Sequence, residues 1–320
     1  MDTIRESGTP EACPTTTPVE SAGRTTPTPL DEAAQWLQEA ADAHPGLVLP
    51  PAAARALELV AESTFNPAAV AHALQADPAL AVPALQKANG LLFTCRGDNL
   101  ESALRRLGAR GSRDVVLTVA TLRSLRVTTD PQLGQWLRQR AEATALTASV
   151  IDLVLGSTRP DAYAAGLVHD LGWALGHAVL AEQPAESRPV LFADARLSRE
   201  VVSRCHVALG TRVAAAWGLP GAVIDAVGEH HGSHVRGDSV AAVVRAALAT
   251  INSLGVGSEG PAFEISALAA LGLSGDAVAA VPTAAFGTLR RHGVVQDRRY
   301  DGGQTVGDRE RRLLRYLGSA

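Results

Sequence analysis

Aromatic side chains are scarce in this sequence. Phe, Trp and Tyr make up 4% of 320 residues, while 46% are hydrophobic. The apolar mass is therefore Ala, Leu and Val, which suits closely packed helices around a substantial core. Cysteines are few: Cys13, Cys95 and Cys205 lie far apart and form no CxxC pair. That spacing argues against a thiolate zinc site and for a reducing compartment. Net charge is small, −4, and gives no global signal for nucleic acid or an anionic membrane. The N-terminus carries no apolar core of the signal-peptide kind, and no uncharged apolar run is long enough to span a bilayer. A glycine-rich phosphate loop and a nucleophile elbow are also missing, so kinase and serine-hydrolase chemistry have no foothold. These absences describe a soluble, cytoplasmic protein without membrane insertion.

The chain opens with a leader, residues 1–29, rich in Thr, Pro, Ser and Gly. It has too little apolar surface to offset the entropy of ordering and is expected to be disordered. Its Thr-Pro steps at Thr9, Thr17, Thr26 and Thr28 are compatible with phosphorylation, though a plain flexible leader explains them as well. From Leu30 onward the periodicity is helical. Asn66-Pro67 and Asp77-Pro78 are paired start signals, a capping side chain followed by proline at the first helical position. Gly90 is expected to stop the helix begun at Asp77, with a bend at Pro83, and Gly108 to close Leu100–Leu107. Short helices joined by brief turns make residues 30–127 an N-terminal helical lobe. After a break at Val127–Pro131, a long helix from Gln135 to Leu155 opens a second lobe, residues 128–287. Further helices are expected at Leu175–Glu182, Pro189–Leu197, Arg199–Trp217, Leu219–Glu229, Val240–Leu254, Ile265–Leu271 and Asp276–Leu289. No period-two strand and no internal repeat occur, so the fold class is all-α. The tail, residues 288–320, holds eight Arg against Asp297, Asp301, Asp308 and Glu310. It is near +4 and the remainder near −8, with a terminal helix expected at Asp308–Leu317.

The second lobe contains the most informative stretch, Asp161 to Gly176. Tyr163, Leu167, Leu171 and Ala174 recur at helical spacing, which makes one helix with a buried face. Within it stands the doublet His169-Asp170, flanked by Gly166 and Gly172. Two glycines in one helix cost about 1 kcal/mol each against alanine, so they mark points where another backbone comes close. An imidazole beside a carboxylate is a pair of good metal ligands. A buried histidine satisfied by its neighbours is the bland alternative.

Two groups of motifs then form a resemblance. Leu49-Pro-Pro51, Asp77-Pro-Ala-Leu80, Lys87-Ala-Asn-Gly90 and Leu104 to Gly108 resemble the N-terminal half of an HDOD domain, the HD-related output domain of bacterial signalling proteins. Gly166-Leu-Val-His-Asp-Leu-Gly172, Trp217-Gly-Leu-Pro220 and Glu229-His-His231 resemble its second half, a relative of the HD phosphohydrolases. The resemblance runs over about Leu47 to Leu271 and implies an all-helical fold whose second lobe copies the HD core. It also implies a ligand set: a His on an earlier helix, the His-Asp doublet, and an Asp on a later helix. Helix matching puts Arg140 at the first position and Leu248 at about the last. A cation and an apolar side chain replace two ligands, so a vestigial site of Arg140, His169, Asp170 and Leu248 is expected, with Arg140 pairing to Asp170. His206, His230 and His231 form a possible ligand or secondary pocket, with His234 clustered after His230-His231 and His177 on a flanking helix.

The residues accordingly favour a non-enzymatic regulatory protein with no catalytic residue, metal or cofactor, acting through a signalling protein partner or small ligand. The alternative is a metal-dependent HD phosphohydrolase acting on a nucleotide or cyclic dinucleotide. Arg105, Arg106, Arg110 and Arg113 have helical spacing but no stacking aromatics, and a solvated face explains them better than nucleic-acid binding.

Overall fold

A computed structural model of the chain describes residues 27–91, 98–126, 130–156, 159–232, 237–256, 265–273 and 275–295. Among these the protein is all-α, with no strand. The leader as far as residue 26, the junction at 127–129 and the tail beyond 295 lie outside the described residues, as does the helix expected at Asp308–Leu317.

Proline-led starts set the first helices. α1 (Pro29–Ala43) is capped by Thr28, whose side chain accepts from Asp31 N while Asp31 answers the Thr28 backbone. Thr28 thus begins a helix rather than ending a leader. α2 (Pro51–Ala61), α3 (Pro67–Gln75) and α4 (Pro78–Leu91) follow. Asn66 Oδ1 accepts from Ala69 N at 3.1 Å and Asp77 Oδ1 from Ala79 N at 3.0 Å, so both start signals act as capping chemistry requires. α4 ends at Leu91, one residue beyond the Gly90 expected to stop it. α5 (Leu100–Ser124) runs well beyond the Leu107 end expected for its first part, but Gly108 at φ 69° breaks it into two where that end was expected.

α6 (Pro131–Val154) is capped by Asp130 and carries Arg140. Next come α7 (Ala162–Val168) and α8 (Leu171–Glu182). The expectation of one continuous helix through His169-Asp170 is corrected here, because the doublet forms the corner between α7 and α8. The expected helix over Pro189–Leu197 is replaced by a 3-10 turn at Val190–Ala193 and the start of α9 (Ala195–Ala216), capped by Asp194. α10 (Gly221–Glu229), α11 (Val240–Ser253), α12 (Ile265–Ala269) and α13 (Gly275–Arg291) complete the order.

α2 to α5 close over one apolar core built on Ala56, Val70, Leu74, Leu80, Leu104 and Val116. A second, larger core holds Leu137, Leu167, Leu171, Leu209, Val227 and Ile251. α1 belongs to this second core, where Ala33, Leu37 and Ala41 are buried, although it precedes the first in sequence. The two cores are tied together in several places. Trp217 Nε1 donates to Leu47 O across 2.6 Å in a buried bond, Lys87 on α4 pairs with Glu142 on α6, and Thr118 Oγ1 meets Tyr163 Oη at 2.7 Å. Arg113 closes another seam by donating to Pro160 O and Asp161 Oδ1 at 2.8 and 2.9 Å. Arg105 pairs with Glu101 on its own helix, and Arg110 approaches Asp152 and Arg159 O. Arg110 and Arg113 thus tie α5 to α6 and to the segment that leads into α7.

Candidate functional site

Backbone proximity builds the site. At Gly172 an added Cβ would lie 1.8 Å from His206 O and 2.6 Å from Gly210 N, so α8 and α9 touch main chain to main chain. At Gly166 an added Cβ would lie 2.9 Å from Ala145 Cα, which presses α7 against α6. Both glycines therefore do what their cost in a helix implied. The first contact brings His206 beside the doublet, and the second brings the α6 turn bearing Arg140.

Asp170 stands at the centre, 4% exposed, and its two oxygens face different neighbours. Oδ2 accepts from Arg140 Nε at 2.7 Å and lies 2.9 Å from His169 Nε2. Oδ1 lies 3.7 Å from His206 Nε2 and 3.7 Å from His230 Nε2. The expected ion pair between Arg140 and Asp170 is thus present, and Arg140 Nη1 also reaches Asn252 Oδ1 at 3.4 Å. Leu248 is buried in the larger core. The α11 side chain that touches the cluster is Asn252, one helical turn beyond it. Its spacing of four residues from Leu248 is the signal by which the sequence could have marked it.

The histidines share one orientation. His169 Nδ1 is 2.8 Å from Gly166 O, His206 Nδ1 2.6 Å from Ser203 O, and His230 Nδ1 2.7 Å from Val227 O. A carbonyl only accepts, so each Nδ1 is the donor and each Nε2 is left facing the cluster. His169 Nε2 is buried and lies 2.9 Å from Asp170 Oδ2, outside hydrogen-bond geometry. His206 Nε2 lies 3.4 Å from His230 Nε2 and 3.2 Å from His231 Nε2. Trp173 packs against His206 with ring centroids 5.5 Å apart, and Trp136 lies under the Arg140 guanidinium at 5.4 Å. His231 forms the exposed edge of the group. His177 stacks on Trp173 with ring centroids 6.3 Å apart and is not part of the group, and His234 lies outside the described residues.

Burial alone would raise the Asp170 carboxyl, but the His169 imidazole and the Arg140 guanidinium outweigh it and hold the group well below the usual carboxylate range. Burial pulls His169 and His206 below the ordinary histidine value against the attraction of Asp170. Burial and the neighbouring imidazoles take His231 down to about 4. The cluster combines a carboxylate, a guanidinium and several buried imidazoles. The ligand set implied by HD chemistry does not fit here, because the Arg140 guanidinium occupies Asp170 Oδ2 and α11 carries no carboxylate. The group His206, His230 and His231 is a separate set, with one ligand atom from each within 4.8 Å of the others.

The sequence model of the HDOD domain matches residues 47–233. The chain belongs to the HDOD domain family. The match ends where α10 gives way to its following turn, short of the Leu271 limit read from the motifs. No curated protein matches. Among solved structures, an HDOD domain protein of unknown function from Geobacter sulfurreducens is 19% identical, with TM-score 0.58, over 91% of this chain and 95% of that one. A protein from Shewanella amazonensis SB2B, provisionally named a metal-dependent phosphohydrolase, is 21% identical with TM-score 0.63, over 81% and 99% of the two chains. Another from Marinobacter aquaeolei VT8, provisionally named a signal transduction protein, is 18% identical with TM-score 0.56, over 82% and 64%. At these identities the likeness concerns the fold. Among the described residues, no helix is long and apolar enough to cross a membrane.

Proposed function

We propose that this HDOD protein is a non-catalytic regulatory protein that acts by binding a signalling protein or small ligand. The observation that carries the reading is the Arg140 guanidinium on Asp170 Oδ2 at 2.7 Å. In an HD phosphohydrolase that carboxylate serves the catalytic metal, which lowers the pKa of a water and polarises the phosphoryl oxygen. Here the oxygen is already engaged by a side chain that cannot be deprotonated. A cleft of about 730 Å³ supports a binding role, lined by Leu47, Leu49, Leu57, Arg212, Val213 and Trp217 where the lead-in to α2 meets the end of α9. Its size is within the range of small-ligand sites.

The competing reading, a metal-dependent phosphohydrolase acting on a nucleotide or cyclic dinucleotide, draws on His206, His230 and His231. Full-length protein supplemented with Mn, Fe or Zn and offered cyclic dinucleotides, nucleotides and a chromogenic phosphodiester separates the two. The expected outcome is no turnover above a no-protein control. Turnover that vanishes in Asp170→Asn would promote the hydrolase.

A further inference from the structure

Arg113 is surrounded by more acceptors than it uses. Its Nη2 donates to Pro160 O at 2.8 Å and to Asp161 Oδ1 at 2.9 Å, at the head of α7. Its Nε is buried without a hydrogen bond, and so is Asp114 Oδ1, which lies 4.0 Å away. A buried donor and a buried acceptor left apart are each costly, and about 1 Å of movement would join them. Only Asp114 can change its protonation, because a guanidinium stays charged. As a neutral acid it makes no demand on Arg113 and leaves that side chain to Asp161. As a carboxylate it is a buried charge that needs a cation, and Arg113 stands closest.

We propose that Arg113 is a proton-controlled latch between the two cores. It holds Pro160 and Asp161 while Asp114 carries its proton, and turns to Asp114 once that proton is released to solvent. The surroundings set the change near neutral pH. Burial pushes the Asp114 carboxyl up from 3.8 to about 7 against Arg113 and Arg110, with Asp161 adding to the rise. Tyr163, which faces it from α7, is itself pushed up by burial and stays neutral throughout. Arg110 is drawn toward Asp152 and Arg159 O, 4.0 and 3.4 Å away, and Arg159 shares that carboxylate. A folded pKa raised above the unfolded one favours the protonated, latched form in acid and loses it as pH rises through about 7. From its head α7 runs seven residues to the His169-Asp170 corner, so the latch bears on that corner without touching it. It stands apart from the binding reading above and does not depend on it.

Hydrogen exchange of the full-length protein from pH 5.5 to 8.5 tests it, with the Asp114 carboxyl followed in parallel by ¹³C NMR. Protection is read at Ala162 N and Ala165 N, bonded to Arg159 O and Asp161 O, and corrected for the intrinsic pH dependence of exchange. It should fall by about tenfold as Asp114 ionises, while Val223 N at the head of α10 stays level. Asp114→Asn cannot ionise and should keep the acid-side protection at every pH. The Asp161 side chain makes no capping bond, so Asp161→Asn weakens the Arg113 contact without removing a cap. It should lower protection already at pH 5.5, flatten the step and move the Asp114 midpoint down. Protection that follows pH equally in Asp114→Asn overturns the latch. So does Asp114 ionising with no change at Ala162 and Ala165, or an Asp114 midpoint in the usual carboxylate range.

Discussion

Arg140 Nε donates to Asp170 Oδ2 across 2.7 Å, with the two side chains 11% and 4% exposed. The pair joins α6 to the corner between α7 and α8, and Asn252 reaches the same guanidinium from α11. Desolvating two charges costs several kcal/mol each, so such a pair gives modest net stability, while breaking it strands a charge.

Arg140→Met should therefore destabilise the fold by about 3–5 kcal/mol. Arg140→Met combined with Asp170→Leu should lose less than Arg140→Met alone, because no buried charge is then left without a partner. Urea unfolding of the single and double variants measures this. Additive losses would show that the two residues are not coupled.

Two glycine substitutions of the same chemistry should have opposite signs. Gly172→Ala forces a Cβ to 1.8 Å from His206 O, and backbone at a helix crossing cannot yield cheaply, so a loss of about 3 kcal/mol or more is expected. Gly287→Ala in α13 meets nothing within 4 Å and should add up to about 1 kcal/mol from helix propensity. Thermal melts of both variants settle the contrast. A well-folded Gly172→Ala would remove the close-approach account of that residue.

The capping signals at Asn66-Pro67 and Asp77-Pro78 were legible in the sequence because their chemistry is local. So was the tight contact at Gly166 and Gly172, since an unfavourable residue in a helix needs a reason. The corner at His169-Asp170 was not legible, because Leu167, Leu171 and Ala174 keep helical spacing straight through it and periodicity cannot register a change of axis. Gly90 lies one residue short of the end of α4 at Leu91, so that stop signal was legible too. The packing of α1 on α9 and the meeting of His206 with His230 and His231 depend on contacts between distant segments, which no local pattern encodes. Arg140 opposite Asp170 was anticipated only through the family resemblance.

The bond from Trp217 Nε1 to Leu47 O, 2.6 Å and buried, ties the segment leading into α2 to the end of α9. Trp217→Phe keeps an aromatic ring but leaves that carbonyl without its donor, which should cost about 1–3 kcal/mol. It should also loosen the cleft lined by Leu47 and Trp217. Hydrogen exchange should rise at the start of α2, where Ala53 N and Ala54 N bond to Pro50 O, more than in α13. Equal protection in both helices would mean that the bond does not hold the segment.

A buried carboxyl away from the histidine cluster makes stability depend on pH. Burial pushes the Asp114 carboxyl up from 3.8 to about 7, against the partial opposition of Arg113 and Arg110 and with reinforcement from Asp161. Its Oδ1 has no hydrogen-bond partner, and the Arg113 Nε facing it is 4.0 Å away. The folded pKa lies above the unfolded one, so the folded state keeps this proton over an interval in which the unfolded chain releases it. The resulting stabilisation is complete below about pH 4 and lost as pH rises through about 7. Asp114→Asn cannot titrate, so wild-type stability minus that of the variant should fall between pH 4 and 7 and then level off. Taking the difference cancels the histidines, which titrate in both proteins. Urea unfolding of the two proteins at intervals from pH 4.5 to 8 tests this, and curves that stay parallel would place the Asp114 carboxyl at its ordinary value.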